Sequence, residues 1–194
     1  MDETRKSWEK FLHPESLRGN LIAISLFISA FEMFKDSVIS KPETFFSNGF
    51  DENGLITGDE HKSEVLTRSK SPLYASLLWF KEMGAINGED IEIFDGIRKH
   101  RNEVTHELLS YVSNAKRNFE VERFQELIAL LSKIEKWWLV NFEMAINPEM
   151  VPEDVDPDEV IVGPIWSLQL MLDIALGNEP EEGYYYNEFT KRHT

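Results

Sequence analysis

The residues best suited to chemistry are consecutive: Arg101-Asn102-Glu103-Val104-Thr105-His106. An arginine guanidinium can hold a phosphate through two parallel hydrogen bonds and stabilise charge developing on it. An imidazole, with an unperturbed pKa of about 6.5, exchanges protons with a ribose hydroxyl near neutral pH. Where RNA supplies its own 2′-hydroxyl as nucleophile, such a pair needs no metal ion. The neighbourhood extends the theme. Projected on a helix at about 100° per residue, Asp95, Arg98, Asn102, Thr105, His106 and Leu109 form a largely polar stripe. Ile93, Phe94, Ile97, Val104, Leu108 and Tyr111 form the apolar face, with Arg101 at its border.

Spacing constrains what this stripe can do. Arg101 and His106 lie five positions apart, so on one unbroken helix they point about 140° from each other. A single chain does not readily aim both at one phosphate. Either two copies pair their stripes around a two-fold axis, or the helix starts or breaks within the motif.

The elements that must position the motif read as helices. A short first helix is expected over Glu3–Leu12, with Trp8, Phe11 and Leu12 on one side. Ser16 to Ile39, capped by Ser16, is apolar on most faces, the mark of a central helix. Residues 41–71 hold Pro42, Gly49, Gly54 and Gly58 and read as a long loop: functional, a short hairpin, or mobile. Pro72 opens a third helix to about Met83. The fourth, carrying the motif, should run from Glu89 through Val112. The fifth, Phe119 to Ile146, repeats Phe124, Leu127, Ile128, Leu131, Ile134, Trp138 and Phe142 at helical steps. The expected class is all-α: an antiparallel up-and-down bundle of four to five helices, with an extra C-terminal helix or tail. Residues 1–147 form the bundle. Residues 148–194 form an acidic, proline-bearing linker, a short apolar helix (Ile165–Leu176) and a tail with Tyr184-Tyr185-Tyr186.

Arg101-x4-His106, preceded by Ile97-Arg98 and with Asn102 directly after the arginine, resembles the Arg-x(4–6)-His signature of the HEPN superfamily. The resemblance covers about ten residues as motif and roughly 16–146 as topology. It implies a metal-independent endoribonuclease without cofactors, with RNA as substrate and two chains sharing a composite cleft. By the same resemblance Arg101 and His106 would be the catalytic pair and Asn102 the polar neighbour. Arg98, Thr105 and Asp95, from the polar stripe, would support or bind RNA. Such proteins serve toxin–antitoxin, antiphage and RNA-processing systems, so a protein antitoxin or regulator is a further expected partner. One toxin subgroup has a tyrosine two residues after the histidine; Leu108 stands there in this chain, so that subgroup's regulatory pairing is not supported.

Other readings compete. A helical-bundle module that only holds RNA, a nucleotide or a protein would use the same stripe without cleaving anything. Glu103-x-x-His106 matches half of a di-iron site, but no second Glu-x-x-His exists. His13, His61, His100 and His193 show no metal-ligand spacing, and glycine-rich phosphate loops and His-Glu-x-x-His are absent. In the Trp137-Trp138 pair, Trp138 is in step with the apolar face, which suits packing better than base stacking.

Composition sets the outer bounds. The 194 residues are 42% hydrophobic and 28% charged, in the globular range. With no cysteine, disulfides, thiolate metal sites and cysteine nucleophiles are excluded. The most apolar stretch, Leu21–Phe31, is shorter than the roughly 20 residues of a membrane span. No signal peptide is read, and the cytoplasm is the default compartment. The net charge of −15 is unevenly placed: residues 137–190 hold 12 acidic residues and no lysine or arginine. All 20 basic and 23 of the 35 acidic residues lie elsewhere, a net of −3. A nearly neutral body with local basic clusters remains compatible with phosphate binding.

Overall fold

The computed structural model describes residues 2–52, 54–146, 148–150, 156 and 159–193. It is mostly helical, 76% helix against 5% strand. In chain order the elements begin with α1 (Glu3–Leu12), α2 (Pro14–Phe45), β1 (Ser47–Asp51), β2 (Gly54–Thr57) and α3 (Asp59–Glu64). They continue with α4 (Pro72–Glu82), α5 (Gly88–His106), α6 (Leu108–Ser113), α7 (Val121–Trp138) and α8 (Met144–Ile146). The last two are α9 (Gly163–Leu176) and α10 (Tyr184–His193). Much of the acidic, proline-bearing linker expected from residue 148 lies outside the described residues.

Capping chemistry fixes where the site-bearing helices start. In α5, Asn87 Oδ1 accepts from the Asp90 N–H at 3.0 Å, and Asp90 Oδ2 accepts from the Asn87 N–H at 2.7 Å. This reciprocal capping box satisfies two amide groups that a helix start leaves open. In α4, Ser71 caps and Pro72 occupies the first turn, where its missing N–H costs nothing. The cap of α2 differs from expectation: His13 Nδ1, not Ser16, accepts the bond, from the Ser16 N–H at 3.3 Å.

Tertiary contacts shape two parts of the expected loop. The first is Pro42, which the sequence reading placed in the loop. It lies buried inside α2, and the helix continues to Phe45. The reason is an anchor across to α7: Lys41 Nζ lies 3.1 Å from Glu135 Oε2, and the Ser37 hydroxyl donates to the other Glu135 oxygen. The second, residues 46–71, includes the short hairpin that was one of the forms expected for it. An antiparallel hairpin, α3 and a 3₁₀ turn (Leu66–Arg68) fill the stretch. Phe46 and His61 pack near each other there, and Val65 joins the core.

The core gathers around α2, which touches α1, α4, α5, α6, α7 and α9. Phe27, Phe34, Phe80, Phe94, Leu127 and Leu131 are fully buried. Phe94 of α5 stacks on Phe31 and Phe34 of α2, with ring centres 6.1 and 5.3 Å away, while Tyr74 of α4 meets it edge-on. Such pairs add to plain area burial. A Cβ at Gly96 would stand 2.8 Å from Arg123 Nη1, the movable end of a long side chain on α7. A smaller cluster of Ile24, Val104, Tyr111 and Val112 sits beneath the motif. Leu168 of α9 reaches the main core, and no helix among the described residues is long and apolar enough to cross a membrane.

Phe94 ties three helices together, so Phe94→Ala should cost about 3–5 kcal/mol, the usual loss for a buried phenylalanine. Urea denaturation followed by circular dichroism would read this as a lowered midpoint with a nearly unchanged slope.

Candidate functional site

Arg101 leaves α5 toward α2 and is half-buried there. Its Nη2 donates to Glu32 Oε1 at 2.8 Å, and its guanidinium carbon lies 5.1 Å from the centre of the Phe31 ring. Nη1 donates at 3.4 Å to Asn102 Oδ1, a weak contact, and Nε is buried without a hydrogen-bond partner. Thus one edge of the fork is fixed on α2 and stacked on an aromatic ring, while the other has spare donor capacity. Glu32 is itself shared, accepting from Lys35 Nζ at 2.8 Å as well. The Lys35 bond holds the Glu32 carboxyl below its ordinary 4.5; partial burial opposes this, and Arg101 adds to it. Lys35 in turn feels Asp36.

His106 is the last residue of α5 and is exposed. The expected continuous helix to Val112 is not formed, because the chain breaks at Glu107, where φ is −120° and ψ is 29°. Arg117 bridges the two sides of the break. Its Nη2 bonds Glu107 Oε2 at 2.5 Å, its Nη1 lies 3.7 Å from Glu103 Oε2, and its guanidinium covers the Tyr111 ring at 5.3 Å. The Tyr111 hydroxyl donates to Glu103 at 3.2 Å. Re-aimed in this way, α6 buries Tyr111 and Val112. Leu108, expected on the core face, is instead 40% exposed, because the break rotates it outward.

The remaining stripe residues divide into two groups. Asp95 accepts from the Tyr74 hydroxyl, and the Arg98 guanidinium lies 5.2 Å from the centre of the same ring. Burial, then the Asp95 bond, pushes Tyr74 up to about 12, so the phenol stays protonated. These two residues therefore face α4. Thr105 turns its hydroxyl back to the Arg101 carbonyl at 2.8 Å, and Asn102 is exposed beside Arg101. The structure accordingly brings Asn102 to Arg101 but fastens Arg98 and Asp95 to Tyr74. Among the described residues, no three His, Cys, Asp or Glu side chains are grouped to hold a metal ion.

Reasoning from the stripe alone misses Glu32, Lys35 and Arg117. A signal for Glu32 exists: it is the first acidic residue after Glu15, set within the apolar run that includes Phe31 and Phe34. Arg117 carries no comparable mark. His100, adjacent to Arg101, faces inward instead. Its ring lies among Phe27, Tyr111 and Phe119, and its Nε2 accepts from the Glu120 N–H at 3.3 Å. Its Nδ1 lies 3.6 Å from Glu120 Oε1.

Compared with protein-family models, with curated proteins and with solved structures, the chain matches none of them.

Burial lowers the pKa of His100 from its ordinary 6.5, against the opposing pull of Glu120 and Glu103; Arg123 lowers it further. The unfolded chain therefore takes up this proton first as pH falls. The stability that neutral His100 contributes is complete above 6.5 and is lost as pH drops below that value toward the folded pKa. His100→Gln, uncharged throughout, should be less stable at neutral pH but show a shallower loss on acidification. Denaturation midpoints of both proteins across this range would check it; parallel acid limbs would exclude His100 as a contributor.

Proposed function

We propose that this chain is a metal-independent, HEPN-like endoribonuclease that acts as a homodimer. The observation that carries this reading is the different footing of the two key residues: Arg101 is braced on Glu32 and Phe31, and His106 is exposed at a helix end. In this reading α2, α4, α5 and α7 are the up-and-down bundle that carries the motif. Two copies set their α5 ends together, so that Arg101 of one and His106 of the other face one phosphate.

The chemistry then needs only the RNA's own hydroxyl. The ribose 2′-oxygen attacks phosphorus while its proton is removed, the phosphorus–O5′ bond breaks, and O5′ leaves with a proton. His106 serves in proton transfer, and Arg101 orients the phosphate and offsets the charge that develops on it. The products are a 2′,3′-cyclic phosphate and a 5′-hydroxyl. Asn102, exposed beside Arg101, would contact the substrate, and Thr105 hydrogen-bonds the helix backbone. The setting would be a cytoplasmic toxin–antitoxin or antiphage system, with a protein antitoxin or regulator as partner.

A second reading has its own support. The 2.8 Å pair with Glu32 already occupies part of the guanidinium, which suits a non-catalytic module that holds RNA, a nucleotide or a protein. Incubation with RNA in EDTA separates the two. A ribonuclease should cleave and leave cyclic phosphate ends, and His106→Ala should be slower by about 10² to 10⁴-fold, the usual contribution of an acid–base group. Arg101→Lys keeps the charge but loses the planar fork and should also be impaired. Glu103→Gln still accepts from Tyr111 and should stay near wild type. Undiminished cleavage by His106→Ala would end the catalytic assignment; RNA binding without cleavage would favour the second reading.

A further inference from the structure

Helix α1 lies on the surface: none of its residues is fully buried, and it packs against α2 and α6. Polar bonds tie it to residues 114–118, in the turn that follows α6. Lys10 Nζ donates to the Asn114 carbonyl at 3.1 Å, to the Arg117 carbonyl, and to Asn118 Oδ1 at 3.4 Å. A protonated lysine has three N–H donors, and three oxygens of one turn surround this one. None of the three belongs to a carboxylate, and burial lowers the Lys10 pKa from its ordinary 10.5. The Ser7 hydroxyl adds a bond, accepting from the Ala115 N–H at 3.2 Å. The pair between Lys116 Nζ and Glu3 Oε1, at 2.5 Å, is exposed and contributes little.

The turn sets its own shape. Asn114 Oδ1 accepts from the Lys116 N–H at 2.9 Å, and the Asn114 carbonyl accepts from the Arg117 N–H at 3.1 Å. Lys10 then fixes where that turn sits. From it, Arg117 faces two ways. Its carbonyl meets Lys10, while its guanidinium donates to Glu107 Oε2 at 2.5 Å and to the Tyr111 hydroxyl at 3.4 Å. Glu107 directly follows His106. Its N–H bonds the Glu103 carbonyl at 2.8 Å, and its carbonyl accepts from the Tyr111 N–H at 3.2 Å. A chain of polar contacts therefore runs from α1 to the end of α5.

We propose that Lys10 is a positioning residue for His106: by holding the main chain of Arg117 it keeps that guanidinium on Glu107, and so fixes how the end of α5 presents the imidazole. Lysine suits the task, because a compact ammonium on a flexible stem can serve three converging oxygens where a guanidinium is a planar fork. Its part in the reaction rests on the ribonuclease reading; the coupling of α1 to the helix end does not.

Amide hydrogen exchange on the full chain tests that coupling, because it reads local opening residue by residue. Lys10→Met keeps an unbranched stem and removes the three donors. The Glu107 and Tyr111 amides should then exchange about tenfold faster, the size of one hydrogen bond to a charged group. Arg117→Met should do the same, and the double variant should exchange no faster than either single one, since both break one chain of contacts. Lys116→Met, on the same turn, should leave both amides unchanged. Acceleration by Lys10→Met confined to residues 114–118, additive effects in the double variant, or equal acceleration across the amides of α7 would each overturn the proposal. Cleavage gives a second readout. In a wild-type chain that cleaves RNA, Lys10→Met should lower kcat with KM nearly unchanged, and an unaltered kcat would overturn the positioning role. A wild-type chain that cleaves no RNA would end the ribonuclease reading and leave the exchange result to decide the coupling.

Discussion

The guanidinium of Arg101 spans the gap between α5 and α2, bonded to Glu32 at 2.8 Å and set over the ring of Phe31. Much of the site's geometry depends on this bridge. An arginine at the border of an apolar face has to bring its charge out of the core or find a partner inside it. Here it finds one on the central helix, and Glu32 divides itself between Arg101 and Lys35. Fixing one edge of the guanidinium removes rotamer freedom in advance, the kind of preorganisation an electrostatic role requires. It also explains why Arg101 and Phe31 belong to one packing unit with Phe94.

A second constraint acts at the other end of the motif. Arg117 holds Glu107 and covers Tyr111 where α5 stops at His106 and α6 sets off on a new course. Each half of the motif is therefore held by a residue outside it: Arg101 by Glu32, and the helix end at His106 by the Arg117 network. The buried His100, directly before Arg101, packs into the interior rather than the surface, which distinguishes three neighbouring basic side chains by environment alone.

Much of the helical content was legible in the sequence because it rests on periodicity and caps. The apolar run from Leu21, the step pattern from Phe124 to Trp138, and Pro72 after Ser71 all mark helices that form. What escaped was whatever depends on contacts distant in sequence. Pro42 sits inside a helix because Lys41 and Ser37 are fastened to Glu135, nearly a hundred residues on. The break at Glu107 has no glycine or proline to announce it, and its side-chain partner is an arginine ten residues later. The same holds within the polar stripe. Helical projection grouped Arg98 and Asp95 with His106, but Tyr74 from α4 claims both. Projection gives direction around an axis, not the identity of the neighbour waiting there.

Arg101 and His106 lie five positions apart on the one unbroken helix α5, and the proposal is that the two act on one phosphate from different chains. Mixing is the direct measurement. Arg101→Ala and His106→Ala proteins, each inactive alone, would be unfolded together, refolded in equal amounts, and assayed for RNA cleavage in EDTA. In a two-fold dimer with composite sites, half the refolded dimers are mixed and each keeps one intact site, so activity should return to about a quarter of wild type. A mixture as inactive as its two components would contradict the shared cleft.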